Sequence, residues 1–402
     1  MKKTTTSLPS KTPTVFGIFL LFLKLGCTCF GGPIAHLGYF REEFVLRQKW
    51  LTEQSYADLV ALSQFLPGPA SSQVGIALGL SRAGLKGAIA AWLGFTLPSA
   101  IIMLVFAIAM THLQTANNNW LHGLKVVAVA IVAQALWGMA KILTPDGIRI
   151  SIALVAAIVT SLIVGILGQL IVMLGGGLLG WWLLTPPTQL PHCSLSVPIN
   201  KKRGLVCLTL FFLLLFLLPV LALETESYVT TLFAGFYRAG ALVFGGGHVV
   251  LPLLQTLVVP SGWVTNNQFL AGYGIAQALP GPLFTFAAYL GALSTQTPAG
   301  FVGASIALIA IFLPSFLLII GTLPFWEVLR NHFVIQRAMQ GVNAAVVGLL
   351  LAAFYNPVWT SAIYNLADYF LAVVCFLLLL FCNIPSWAVV IFAAVVTGLG
   401  WP

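Results

Sequence analysis

A Pro-Gly-Pro tripeptide cannot continue a helix: each proline lacks an amide donor, and the residue before a proline is pushed out of the helical region. This chain carries the tripeptide twice, as Pro67-Gly68-Pro69 and Pro280-Gly281-Pro282, each behind a glutamine, Gln64 or Gln277. Other words recur in the same order. Phe30-Gly31-Gly32 and Trp50-Leu51-Thr52 precede the first copy, and Phe244-Gly245-Gly246 and Trp263-Val264-Thr265 precede the second, about 213 residues further on. A chain that is 59% hydrophobic matches itself loosely by chance, but not with glycine pairs and prolines at constant spacing. A duplicated unit broken at the same places is the plan of a secondary transporter with its site at the breaks.

With 7% charged residues over 402 positions, the chain cannot cover the surface of a soluble domain. Apolar runs fall at about 14–32, 85–110, 120–140, 148–165 and 168–184. After a polar, proline-rich linker they resume at about 205–223, 228–247, 299–322, 335–356, 363–382 and 385–401. The weaker segments at 52–80 and 265–293 hold the Pro-Gly-Pro. If each is one broken span, about thirteen spans result; if each is a re-entrant hairpin, about eleven. The expected fold class is an all-α polytopic membrane protein of two homologous helical repeats in inverted orientation. Its domains are residues 1–184, a linker with a connecting helix at 185–227, and residues 228–402.

Loop charge supports the inversion. With the N-terminus inside, thirteen spans place Arg82, Lys86, Lys141, Arg149, Lys201, Lys202, Arg203, Arg330 and Arg337 inside, and Glu224 and Glu226 outside. Arg41, Arg47 and Lys49 break the rule. Equivalent loops exchange character: the one holding Arg82 and Lys86 becomes the uncharged Gln296–Gly300, as oppositely oriented halves require. Lys2 and Lys3 before an apolar run imitate a secretory signal, but Lys24 interrupts that run, so an uncleaved first helix is expected. The six cysteines form no C-x-x-C pair and read as small buried hydrophobes. No nucleotide loop, dinucleotide fingerprint, catalytic triad or metal spacing occurs, which argues against ATP-driven pumping and membrane-enzyme chemistry by this chain alone.

The breaks carry the candidate chemistry. Broken backbone facing lipid would leave polar groups unsatisfied at several kcal/mol apiece, so each break must be buried or line a cavity. Pro69 and Pro282 suit the first position of a following half-helix, whose free amides form an anion site. Gln64 and Gln277 add amide donors, and Ser71, Ser72 and Thr285 offer hydroxyls. Gly31, Gly32, Gly245 and Gly246 let backbones unwind or approach closely. Lys24 and Arg238 each lie six residues before a Phe-Gly-Gly, mid-span, where a cation costs about 2.5–3.5 kcal/mol. With no repeated carboxylate to neutralise them, they read as unpaired cations for an anionic ligand, with a Lys24–Asp58 pair as the structural alternative. Lys125 aligns with Asn343, and both are auxiliary candidates. His36 and His248 are the proton-coupling candidates.

The run Phe30-Gly31-Gly32-Pro33-Ile34-Ala35-His36-Leu37-Gly38-Tyr39-Phe40-Arg41, followed by Gln64-Phe65-Leu66-Pro67-Gly68-Pro69, resembles the chromate ion transporter family. Phe244-Gly245-Gly246-Gly247-His248 and Gln277-Ala278-Leu279-Pro280-Gly281-Pro282 match the second domain of its long, two-domain members. The resemblance covers essentially the whole chain. It implies an inner-membrane carrier that exports the tetrahedral divalent oxyanion chromate, without a cofactor and driven by membrane potential or a proton gradient. Sulfate is the related anion, and a channel-like pathway for it is the alternative. The implied partners are the anion and the bilayer, with a homodimer as candidate assembly and no nucleic acid. On this reading a neutral substitution at Lys24 or Arg238 abolishes chromate efflux.

Overall fold

The computed structural model describes residues 13–113, 119–163, 165–185, 199–244, 249–330 and 332–400; among them there are helices and no strand. The first helix, α1 (Val15–Thr28), starts behind Thr14, whose hydroxyl accepts the Gly17 amide at 3.1 Å. Its 14 residues reach about 21 Å, short of the roughly 30 Å bilayer core. It does not continue across. Gly31 turns the backbone at a φ of 96°, which glycine alone adopts cheaply, and α2 (Gly32–Arg41) returns beside α1, extended by a wider helical turn at Glu42–Arg47. Phe22 of α1 accordingly packs on Phe40 and Phe44, with ring centroids 5.6 and 5.0 Å apart. The span expected at 14–32 is thus one arm of a V.

A second V follows. In α3 (Glu53–Phe65) the Thr52 hydroxyl caps the start by accepting the Ser55 amide at 3.2 Å, and the helix ends at the Pro-Gly-Pro. Beyond it α4 (Ala70–Leu113) runs in two arms that meet at Ala83 and Gly84, whose backbone angles are not helical. The first arm returns to the level where α3 began: the Arg82 guanidinium donates to the Trp50 carbonyl and sits 5.3 Å over the Trp50 ring. The broken segment is therefore a re-entrant hairpin rather than one interrupted span. The second arm folds back along the first with Gly79 against Gly87, close enough that a Cβ on either would meet the other's carbonyl. Then come α5 (Asn119–Leu143), α6 (Gly147–Leu162) and α7 (Ile166–Leu183).

The connecting helix α8 (Lys201–Thr225) has 25 residues, enough to cross a bilayer. The second unit then repeats the first. Its α9 (Tyr228–Leu242), α10 (Val250–Val258), α11 (Asn266–Ala278) and α12 (Phe286–Leu293) form the two short V-shaped pairs. Then follow α13 (Gly300–Thr322), α14 (Trp326–Arg330), α15 (Phe333–Ala353), α16 (Leu366–Leu380) and α17 (Ser386–Gly398). The same closures recur: Tyr228 packs on Trp263 at 5.1 Å, the Thr295 amide donates to the Trp263 carbonyl at 3.0 Å, and Gly291 opposes Gly303. The second arm of α4 and its counterpart α13 run antiparallel. Trp92 packs on Phe312 and Phe316 late in α13, whereas Phe106, further along α4, stacks on Tyr289 just before α13 begins. Fully buried rings from both units, among them Phe40, Phe95, Phe269 and Phe286, fill the centre, while α8 presents Leu205, Phe212 and Phe216 outward. Outward apolar faces of this kind suit lipid.

Candidate functional site

The two Pro-Gly-Pro breaks are stitched to the opposite units. The Gly68 amide donates to the Val243 carbonyl at 2.7 Å, and the Gly281 amide donates to the Cys29 carbonyl at 2.9 Å. Cys29 and Val243 are the residues before the two Phe-Gly-Gly motifs, so the bonds are reciprocal, as a two-fold relation between the units demands. Gly68 and Gly281 hold φ values of 123° and 94°, a region that L side chains rarely adopt.

A further repeated word meets these breaks. Leu97-Pro98-Ser99 and Leu313-Pro314-Ser315 lie within α4 and α13, about 216 residues apart. Each serine lies against the other unit's glycine: a Cβ at Gly68 would stand 2.9 Å from Ser315 Oγ, and one at Gly281 would stand 3.0 Å from Ser99 Oγ. Sequence reasoning missed this pair because it sits inside unbroken apolar runs, where one proline draws no attention. The signal was the repetition itself.

Around the first break, buried polar atoms lack partners. Ser63 Oγ, Ser72 Oγ, Gln73 Oε1, Ser315 Oγ and His36 Nε2 are enclosed and unbonded, although His36 Nδ1 lies 3.3 Å from Ser71 Oγ and the Gln73 amide donates to the Pro67 carbonyl at 2.6 Å. Buried polar groups are ordinarily satisfied, so a cluster of exceptions calls for a ligand or water. The amino end of α4 points its free first-turn amides at the same place. Thr285, by contrast, spends its hydroxyl on the Pro282 carbonyl at 2.9 Å.

Next to this cluster opens a cavity of about 450 Å³, lined by Gly31, Ser63, Gln64, Gly68, Gln134 and Asn343 among others. Four of the sequence candidates (Gly31, Gln64, Gly68 and Asn343) meet here, while Gly32, Pro67 and Pro69 form the flanking turns. Gln134 is an addition from α5 with no counterpart in the repeat words. From the break the cavity follows Trp137, Ile142 and Leu143 toward the carboxyl end of α5. The other end of α5 is closed by a polar cluster. His122 Nε2 lies 2.6 Å from Asp368 Oδ1, Lys125 Nζ donates to Asn267 Oδ1 at 3.3 Å and sits 5.3 Å over the Tyr364 ring, and Asn266 donates to Ser361 at 2.5 Å.

The cations fall elsewhere than expected. Lys24 is not unpaired: its Nζ lies 3.9 Å from Glu43, which α2 carries back beside α1, and its side chain is 61% exposed. Glu43 reaches it because the chain doubles back after α1 and does not continue as a straight span. Arg238 borders a separate small void with Gln169, Leu253 and Leu257. Lys125 belongs to the closed cluster. Among the described residues, no Lys or Arg lines the cavity. In the second unit, Pro280 and Pro282 flank the Gly281 turn, and the Gln277 carbonyl accepts from Ser386 at 2.7 Å. Gly245, Gly246 and His248 lie outside the described residues.

Comparison with known proteins agrees with this duplicated plan. The family model described as chromate transporter matches residues 16–181 and again residues 230–399. A probable chromate transport protein of Synechococcus elongatus is 31% identical over 338 residues, covering 83% of this chain and 81% of that protein. Chromate transport proteins of Pseudomonas aeruginosa and Cupriavidus metallidurans are 28% and 29% identical, each over 83% or more of this chain and 78% or more of their own length. No solved structure matches. With both repeats matched separately and a 31% identical relative aligned over 83% of the chain, this chain belongs to the chromate transporter family.

Proposed function

We propose that the protein exports chromate, or a closely similar tetrahedral oxyanion, by alternating access around the two cross-stitched breaks. The reciprocal bonds Gly68–Val243 and Gly281–Cys29, beside a largely apolar cavity that Ser63, Gln64, Gln134 and Asn343 also line, carry this reading. An oxyanion needs converging donors. Gln64, Gln134 and Asn343 supply amides, Ser63 and Ser315 supply hydroxyls, and the start of α4 supplies a positive dipole end. Neutral donors suit a carrier, because a transported ion must be held weakly enough to leave.

Loop charge supports the orientation. If the N-terminus is cytoplasmic, both V-shaped pairs of the first unit return to the inner face, which places Arg41, Arg47 and Lys49 beside Arg82 and Lys86. The exception to the positive-inside rule disappears. The cavity then opens inward, and the cluster of His122, Lys125, Asn267 and Asp368 closes the outer face. Exchanging the conformations of the two units opens the counterpart around Gln277 and Lys125 to the outside. Membrane potential or a proton gradient drives the exchange, with the buried His36 as proton carrier.

Asp368→Asn is expected to loosen the outer closure, because it removes the charge that holds His122. In a cysteine-free background, labelling of Asn267→Cys from outside by an impermeant thiol reagent should rise several-fold with Asp368→Asn. Equal labelling would argue against a closure at this cluster. Transport itself is tested by uptake into everted vesicles with labelled chromate, competed by sulfate, molybdate or phosphate. Uphill, saturable uptake that collapses with an uncoupler is expected. Uptake no greater than in vesicles lacking the protein would refute the reading, and purely downhill flux would favour a channel-like pathway.

A further inference from the structure

We propose that the groove between the start of α8 and the bend of α4 binds an anionic phospholipid. This groove, about 450 Å³, shares no lining residue with the cavity at the breaks; Leu80, Leu85, Val206 and Ile320 line its floor, and Lys202 and Arg203 stand at its rim. Among the described residues neither cation pairs with a carboxylate, although Lys24, Arg41, Arg47 and Arg149 all do. The charges nearest these groove residues in sequence, Lys201, Arg82 and Lys86, have the same sign. The amino end of α8 adds its positive dipole end at the same level.

Two chemistries are therefore offered together: an unanswered positive rim and an apolar floor that continues into outward-facing side chains. Leu205 and Val206 are 60% and 65% exposed. A free inorganic anion would answer the rim and leave the floor bare. The linker sequence at 186–198 contains no Asp or Glu to answer the rim. A phosphodiester headgroup with its acyl chains satisfies both, and basic pockets between helices at a membrane face are where such headgroups are held. The proposal does not depend on which anion the protein carries.

Native mass spectrometry of the purified full-length protein tests it, with phosphatidylglycerol titrated against phosphatidylcholine. One phosphatidylglycerol should be retained in preference to phosphatidylcholine. Lys202→Gln with Arg203→Gln should weaken that binding roughly thirty-fold, at about a factor of five per basic side chain. The exchange Lys202→Arg with Arg203→Lys should retain it, and Val206→Trp, which fills the floor and keeps both cations, should weaken it. Equal retention of the two lipids, unchanged binding in the double Gln variant, or displacement of the lipid by inorganic phosphate would each overturn the proposal.

Discussion

Gly68→Ala is expected to reduce chromate transport to less than about a hundredth of the wild-type rate while leaving the protein in the membrane. The backbone φ of 123° is strained for any residue with a Cβ, at a cost of about 1–3 kcal/mol. The added carbon would lie 2.6 Å from Gln73 Nε2 and 2.9 Å from Ser315 Oγ. To relieve both, Gln73 must release the Pro67 carbonyl, and the turn must move away from Val243. The loss falls on the Gly68–Val243 bond, which joins this break to the opposite unit. Gly281→Ala should act in the same way through Ser99 and Cys29, and the double variant should be little worse than either alone, since both bonds belong to one arrangement. Vesicle uptake normalised to protein content measures all three. Wild-type rates in Gly68→Ala would mean that the breaks are packing features and not the transport site.

Gly79→Val should have the largest effect on folding. The two arms of α4 touch backbone to backbone at Gly79 and Gly87, so a branched side chain has no direction in which to go. Parting the arms would strip α1 from its seat, since Gly26 packs on the Gly94 and Phe95 carbonyls of the second arm and Gly75 of the first packs on Phe22. Fluorescence-detected size exclusion after detergent extraction should show loss of the monodisperse peak. Gly175→Ala in α7 is the control. Its backbone is helical, and nothing lies within 4 Å of the added carbon. That variant should survive extraction. A normal peak from Gly79→Val would contradict the close approach.

The all-helical class, the duplication and the places where helices break were legible in the sequence, because prolines and paired glycines act on the backbone locally. The direction of the chain after each break was not. Phe-Gly-Gly ends a helix equally well whether the next helix continues or returns, and the choice is made by packing such as Phe22 against Phe40 and Phe44. The surroundings of Lys24 follow from that. A mid-span insertion cost holds for a straight span, whereas the return of α2 brings Glu43 to it from 19 residues away. The violation of the charge rule by Arg41, Arg47 and Lys49 was the sequence's own sign that the first span doubles back. Gln134 could not be foreseen, because nothing local distinguishes a polar residue facing a cavity from one facing another helix.

Chromate uptake by proteoliposomes containing Gln64→Ala together with Asn343→Ala tests most directly whether the stitched breaks and their cavity hold the anion. Each amide facing a charged ligand contributes about 1.5–3 kcal/mol, so each loss should raise the apparent KM roughly ten- to a hundredfold. Saturable wild-type uptake, with the KM of the double variant raised at least a hundredfold and its protein content unchanged, is the expected result. An unchanged KM would place the anion elsewhere in the molecule.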